Sequence, residues 1–94
     1  MIVLNVTYRC RPGMRDAFLR SIRDNGIDSA SRAEEGNVRY DYFISVNGGD
    51  DLLLLEKWRD TEAFEVHRGQ SHFALLGEIN SSYVLNTDIE KYEI

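Results

Sequence analysis

Three polar or aromatic side chains in this sequence stand where acid–base chemistry could use them. Asn5 lies in the middle of a predicted strand, where asparagine is disfavoured, and Trp58 ends another strand. His67 shares a helical stripe with Ala63 and Phe64. A histidine with a pKa near ~6.5 can transfer protons if it lines a pocket, and a strand asparagine can hold a ligand oxygen. The alternative is structural: a histidine packed in the core, and an asparagine bonded within the fold.

Other chemistry-bearing residues give weaker signals. Tyr40 and Tyr42 share a strand face and could either pack in the sheet or line a pocket. His67 and His72 are five residues apart, so they do not form an i, i+4 metal pair; a metal site would need distant carboxylates, and we expect none. The sequence has no phosphate-binding glycine loop and no nucleophile elbow. The single cysteine, Cys10, cannot form an internal disulfide.

The overall composition excludes several classes of partner. The net charge of −5 argues against nucleic acid and against an anionic membrane surface, since both bind clustered Lys and Arg. The longest aliphatic run, Leu52–Leu55, is far shorter than the ~20 residues of a membrane span. No signal peptide is visible, and the lone cysteine fits a reducing compartment, so we expect a cytoplasmic protein.

The elements that would position these residues follow from the spacing of the apolar side chains. Gly36 is suited to a left-handed helix cap, and Val38, Tyr40, Tyr42 and Ile44 are expected on one strand face. The predicted elements are a strand over Ile2–Arg9, a helical stretch from Met14 to Ala33 that is kinked or split at Asn25-Gly26, strands Asn37–Val46 and Leu52–Trp58 joined by the turn Asn47-Gly48-Gly49-Asp50, a helix from Asp60-Thr61-Glu62 that bends at Gly69-Gln70-Ser71 and continues over His72–Ile79, and a last strand over Tyr83–Tyr92.

The order β-α-β-β-α-β predicts an α+β fold of the ferredoxin-like type. We expect one domain over residues 1–94, with an antiparallel sheet and the helices on one of its faces. In the third strand, Leu53 and Leu55 point away from the side that Leu52 and Leu54 occupy, so both faces are apolar. A second copy packed sheet to sheet would cover the free face, and the sequence therefore predicts a homodimer.

Four segments of the chain together resemble the antibiotic biosynthesis monooxygenase (ABM) domain, a family of dimeric α+β barrels. The most specific part is the Glu-x-Trp pattern ending at Trp58, followed nine residues later by His67. The segments are Arg11-Pro12-Gly13, Glu34-Glu35-Gly36-Asn37-Val38-Arg39-Tyr40, Leu53-Leu54-Leu55-Glu56-Lys57-Trp58, and His67 through His72-Phe73.

This resemblance implies a homodimer with one pocket per subunit between the sheet and the helices. Characterised members include oxygenases that act on quinols or anthrones without flavin, haem or metal, so it implies a cofactor-independent monooxygenase whose substrates are dioxygen and a small aromatic molecule. In that role His67 would take the proton, Asn5 would hold the oxyanion and Trp58 would orient the ring. The resemblance also gives three residues that would bind substrate: Tyr40, His72 and Phe73.

The same family leaves other functions open. Haem-degrading members resemble this chain at Asn5, but their haem-ligating histidine falls near Gly77, which cannot ligate iron. A second group isomerises a small phosphorylated dicarbonyl from autoinducer-2 breakdown; the stretch from Arg23 to Ile27 resembles it, although Gly26 replaces that group's histidine. A non-catalytic dimeric domain that binds a small ligand is the third alternative.

Overall fold

The computed structural model describes all residues 1–94 and has the predicted ferredoxin-like architecture. Its four strands form one antiparallel sheet in the order β2-β3-β1-β4, with the helices against one face. The elements are β1 (Ile2–Cys10), α1 (Arg15–Asp24), α2 (Ile27–Arg32), β2 (Asn37–Phe43), β3 (Asp51–Trp58), α3 (Thr61–Arg68), α4 (Ser71–Tyr83) and β4 (Val84–Glu93). None of the helices is both long enough and apolar enough to cross a membrane.

The two central strands set which side chains meet the helices. Alternate residues of β1 and β3 are buried beneath the helices, and the residues between them face the other way. The buried set on β3 contains one charged residue, Glu56, between Leu54 and Trp58. The helix-facing row on the two strands is Ile2, Leu4, Val6, Tyr8 and Cys10 with Leu52, Leu54, Glu56 and Trp58.

The predicted break near residue 26 is confirmed as a boundary between two helices. Gly26 has a φ of +66°, a left-handed conformation that glycine adopts without the strain of a side chain. The turn lets both helices reach the core, where Phe18, Ile22 and Ile27 are fully buried. The hairpin glycines Gly48 and Gly49 also have positive φ, as the turn signal predicted.

Two local predictions in the region before β3 were wrong. Gly36 is not a left-handed cap; its role is a close approach, because a Cβ there would collide with the side chain of Ala63 on α3. Val38 does not share the face of Tyr40, because the β2–β3 register shifts between Asn37 and Arg39 and leaves Val38 53% exposed. Such a bulge adds one residue to one strand and breaks the alternation on which the prediction rested.

The last helix and strand also differ slightly from the prediction. Tyr83 ends α4 and stacks on Phe18 instead of starting the strand. A second register shift, between Arg9 and Cys10, accommodates Leu85. Beyond it, Thr87 and Ile89 lie opposite Tyr8 and Val6, so they face the helix side of the sheet.

The sheet face opposite the helices, here called the open face, is partly exposed and partly apolar. Val3, Leu53 and Leu55 are half-buried there, and Phe43 on β2 and Tyr92 on β4 extend the apolar area. The sheet-to-sheet homodimer stays a prediction, and this is the face that it would cover.

Candidate active site

Two glutamates and two histidines meet beneath helices α3 and α4. Glu34 comes from the segment before β2, Glu56 from β3, His67 from α3 and His72 from the first turn of α4. His67 Nδ1 lies 2.5 Å from Glu34 Oε2, and His72 Nε2 lies 2.8 Å from the same oxygen. His67 Nε2 lies 3.7 Å from Glu56 Oε1. The four side chains form one connected polar cluster, defined here as the Glu-His cluster.

Local structure explains how α3 reaches this position. The side chain of Asp60 accepts a hydrogen bond from the backbone N–H of Ala63 and fixes the start of the helix. Ala63 then packs against Gly36, where the absence of a side chain lets the helix approach. One turn further along α3, His67 is thereby brought beside Glu34, two residues before that glycine.

Aromatic rings enclose His67. Its ring stacks on Trp58 at a centroid distance of 4.4 Å, and Phe73 meets it edge-on at 5.3 Å. Tyr40 lies edge-on at 5.9 Å. The Trp58 indole N–H donates a hydrogen bond of 3.1 Å to Glu56 Oε1, which ties the glutamate to the aromatic wall. The imidazole is therefore held in one orientation by packing as well as by Glu34.

Burial shifts the acid–base properties of the cluster toward neutral forms. It raises the pKa of Glu56 to about 7; the nearby Glu34 charge adds to this, and the Trp58 N–H opposes it. Burial also lowers the pKa of His67 despite its hydrogen bond to Glu34. Near pH 7, His67 is therefore neutral, and Glu56 exchanges readily between its two protonation states. A carboxylate of that kind can act as a general base or acid.

The hydrogen bonds to Glu34 indicate which ring nitrogen of each histidine carries a proton. Both histidines point a ring nitrogen at Glu34 Oε2, so each donates an N–H there while Glu34 is ionised. The other nitrogen of His67, Nε2, then carries its lone pair toward Glu56. Glu34 Oε1 is buried without a hydrogen-bond partner. At 3.7 Å, Glu56 Oε1 and His67 Nε2 are neighbours but are not hydrogen-bonded, so a proton would pass between them only after a closer approach.

A cleft of about 480 Å³ opens between the sheet and helices α3 and α4, and Glu56 forms part of its wall. The volume is within the range of small-ligand sites. Most of the wall is apolar, and Glu56 is its one acidic residue. The lining comprises Leu4, Val6, Tyr8, Glu56, Phe64, Arg68, Phe73, Leu76, Gly77, Asn80, Thr87, Ile89 and Lys91.

The structure brings together most of the residues that the sequence singled out, but not all in the expected role. His67, Trp58 and Tyr40 are buried together, behind Glu56 and outside the lining of the cleft. His72 is bonded to Glu34, and Phe73 lines the cleft.

The expected convergence of Asn5 with His67 is wrong. Asn5 pairs with Leu55 and Glu90 in the sheet, and its side chain is on the open face, away from the helices. The error came from treating a half-buried strand face as a pocket wall. Alternation alone does not tell which face the helices cover.

Glu34 and Glu56 are the functional candidates that sequence reasoning missed. Glu56 had a readable signal: it occupies the same strand register as Leu52, Leu54 and Trp58, where a charged residue is costly unless it has a purpose. Glu34 had no such signal, because it precedes β2 in an irregular segment and meets the histidines only through the tertiary fold.

Glu34, His67 and His72 are also the one group of side chains that could hold a metal ion. Their ligand atoms all lie within 4.8 Å of one another, and a distant carboxylate does join the two histidines. Two ligands on one tetrahedral zinc ion lie about 3.3 Å apart, because each bond is about 2.0–2.1 Å. At 2.5 and 2.8 Å, the nitrogen–oxygen pairs are spaced as hydrogen bonds, and a metal would have to spread them.

Comparison with known proteins places the chain in a family. Residues 1–76 match the family model described as antibiotic biosynthesis monooxygenase. YcnE of Bacillus subtilis, named a "putative monooxygenase", is 38% identical over 73 residues, which are 78% of this chain and 75% of YcnE. Rv0793 of Mycobacterium tuberculosis, with the same designation, is 40% identical over 73 residues, covering 73% of this chain and 69% of that protein.

Solved structures support the fold. PA3566 of Pseudomonas aeruginosa superimposes with a TM-score of 0.87 at 28% identity, over 99% of this chain and 92% of that one.

Proposed function

The chain belongs to the antibiotic biosynthesis monooxygenase family, and on that premise we propose that it oxidises a small aromatic, quinol-like or anthrone-like molecule with dioxygen in the cleft beside Glu56. We further propose that the reaction needs no organic cofactor or metal. The homodimer expected from the apolar sheet face is part of this proposal.

The observation that carries the proposal is the position of Glu56. It is 6% exposed, it is the acidic group of an otherwise largely apolar cleft, and its pKa is about 7. A base of that strength can accept the proton of an acidic phenol or enol near neutral pH and return it later. A carboxylate in a wholly apolar core would instead be only a cost to stability.

The proton then has a defined destination. It moves from the substrate hydroxyl to Glu56, and a closer approach of His67 Nε2, now 3.7 Å away, would let it pass on to the imidazole. Glu34 stabilises the resulting imidazolium through His67 Nδ1, and the Trp58 indole N–H steadies Glu56. His67 is therefore proposed as the second acceptor behind Glu56, rather than as the base in contact with substrate.

The oxidation itself uses electrons from the substrate. The deprotonated ring transfers one electron to dioxygen, and the two radicals combine to form a carbon–oxygen bond. The oxygen–oxygen bond of the resulting peroxide then breaks. For an anthrone-type CH₂ carbon, one oxygen atom remains as the new carbonyl, and the other leaves as water with the two hydrogens of that carbon. Four electrons leave the substrate and four reduce dioxygen, so the reaction balances.

The walls of the cleft suit this reaction. Phe64 and Phe73 offer ring faces or edges to a flat aromatic molecule, and Leu4, Val6 and Leu76 provide apolar walls. Low local polarity destabilises the carboxylate of Glu56 and excludes water that would compete for the reactive intermediate.

The test is oxygen uptake by the metal-stripped protein against a panel of quinols, anthrones and related phenols. We expect a rate above uncatalysed autoxidation, reduced about 100-fold or more in Glu56→Gln, because a positioned general base contributes about 10²–10⁴. Glu78→Gln, an exposed residue of α4 outside the cleft lining, is the matched control and should keep the wild-type rate.

Three results would contradict the proposal. Uptake that appears only when a metal ion is restored would transfer the chemistry to Glu34, His67 and His72. Full turnover without oxygen would favour the isomerase alternative. An unchanged rate in Glu56→Gln would remove the proposed base.

A further inference from the structure

Two cationic side chains lie on the lining of the cleft, although the chain as a whole is acidic. Arg68 ends α3, and Lys91 lies on β4, on the helix side of the sheet. Both are in contact with the same ring: the Arg68 guanidinium carbon lies 6.0 Å, and the Lys91 ammonium 5.2 Å, from the centroid of Phe64. The mouth of the cleft therefore carries local positive charge against a net charge of −5.

These cations are not neutralised equally by the protein. Arg68 pairs with Glu65 on the exposed side of α3 at 3.2 Å. Lys91 takes part in none of the salt bridges of the chain. An unpaired ammonium beside an aromatic wall is available to an anion that arrives with a ligand.

The sheet register sets the distance between this charge and Glu56. Lys91 lies opposite Leu4 on β1, and Leu4 lies opposite Glu56 on β3. Neighbouring strands are about 4.8 Å apart, so the backbones of Lys91 and Glu56 are about 10 Å apart across one row of the sheet. Both side chains lie on the helix face, where the cleft is. A ligand that reaches both side chains in their extended directions, across this row of the sheet, is longer than a single ring.

We propose that the cleft binds an elongated aromatic acid, with its carboxylate at Lys91 and Arg68, its rings against Phe64 and Phe73, and its hydroxyl toward Glu56. This rests on the proposed function, since it names the class of molecule on which Glu56 acts. The cations fix the end of the ligand that does not react, and so direct the hydroxyl to the base.

The experiment compares three probes that differ in charge and in spacing. The first, 6-hydroxy-2-naphthoate, carries its hydroxyl and carboxylate at opposite ends. The second, 3-hydroxy-2-naphthoate, carries them side by side, and the third, 2-naphthol, has no carboxylate. We expect the first probe to bind about tenfold more tightly than either of the others by calorimetry, as a charge-assisted contact would give.

Single-charge variants then locate the contact. In Lys91→Met and Arg68→Gln the preference should fall to about threefold or less, and in the double variant it should vanish. Arg20→Gln removes the same charge from an exposed position on α1 and should keep the full preference. Circular dichroism of each variant checks that it is folded.

The inference is overturned if the three probes bind alike, if none binds, or if the preference survives the double variant. None of these outcomes requires turnover, so the inference and the oxygenase proposal fail separately. Glu56-dependent oxygen uptake without a preference for the carboxylate probe would contradict only the proposed substrate class. A charge preference without oxygen uptake would support the substrate class and count against the oxygenase.

Discussion

Polar residues on the two faces of the sheet differ in burial and in bonding. On the helix face, Glu56 is buried among apolar side chains, bonded to Trp58 and close to His67. On the open face, Asn5 is half-buried between Val3 and Thr7, with partial access to water. A polar group in water costs little, whereas a buried carboxylate costs free energy that must be offset elsewhere. The burial of Glu56 is therefore a stronger indication of function than the half-burial of Asn5.

The largest effect should come from the charge of Glu56 on stability. Its pKa is about 7 in the folded protein, against an ordinary value of 4.5 for a solvated glutamate, so the folded form holds the proton more tightly. The favourable contribution is complete below about pH 4.5 and is lost as the pH rises through about 7. A shift of this size corresponds to about 3 kcal/mol.

Denaturant titrations of wild type and Glu56→Gln from about pH 5 to about pH 8 measure this loss. The variant should gain stability relative to wild type by about 2.5 kcal/mol across that range. Glu78→Gln, on the exposed side of α4, should show no such trend. Parallel pH curves for Glu56→Gln and wild type would mean that Glu56 is not perturbed by burial.

A slightly smaller effect is expected from His67 on catalysis. His67→Ala removes the second proton acceptor, and we expect oxygen uptake to fall about 30-fold, or about 2 kcal/mol in the barrier. The pH at which the rate is half-maximal should also move, which loss of packing alone would not cause. Val66→Ala, the exposed neighbour on α3, should leave both quantities unchanged. An unaltered pH profile in His67→Ala would contradict its proposed role.

On the open face, the largest effect should fall on assembly. Leu53→Asp places a charge at the centre of the proposed sheet-to-sheet contact and should weaken the dimer by about 1–2 kcal/mol per subunit. Sedimentation equilibrium measures the dissociation constant. Leu85→Asp is the control, because Leu85 is 61% exposed at the bulge of the edge strand β4. A wild-type protein that is monomeric at all concentrations would refute the dimer.

The smallest effect is expected for Asn5. Because its side chain faces away from the cleft, Asn5→Ala should change turnover by less than about twofold, or below about 0.5 kcal/mol. This reverses the expectation drawn from sequence, where Asn5 held the oxyanion. A large loss in kcat with an intact dimer would show that the open face, rather than the cleft, contains the site.

Sequence alone determined the parts of this protein that depend on neighbours along the chain. Alternation predicted β1 and β3, Asn47-Gly48-Gly49-Asp50 predicted the hairpin turn, and Asp60 predicted the start of α3, because each signal is complete within a few residues. The order of these elements was sufficient for the ferredoxin-like fold, and four short segments were sufficient for the family.

Only the tertiary structure decided which polar residues act together. Glu34 and His72 are 38 positions apart, yet His72 and His67 contact the same oxygen of Glu34, and Gly36 lets α3 approach the segment that carries this glutamate. The bulge at Val38 and the choice of the covered face likewise depend on contacts between elements distant in sequence. Periodicity states that a strand has two faces, but packing decides which one becomes the core.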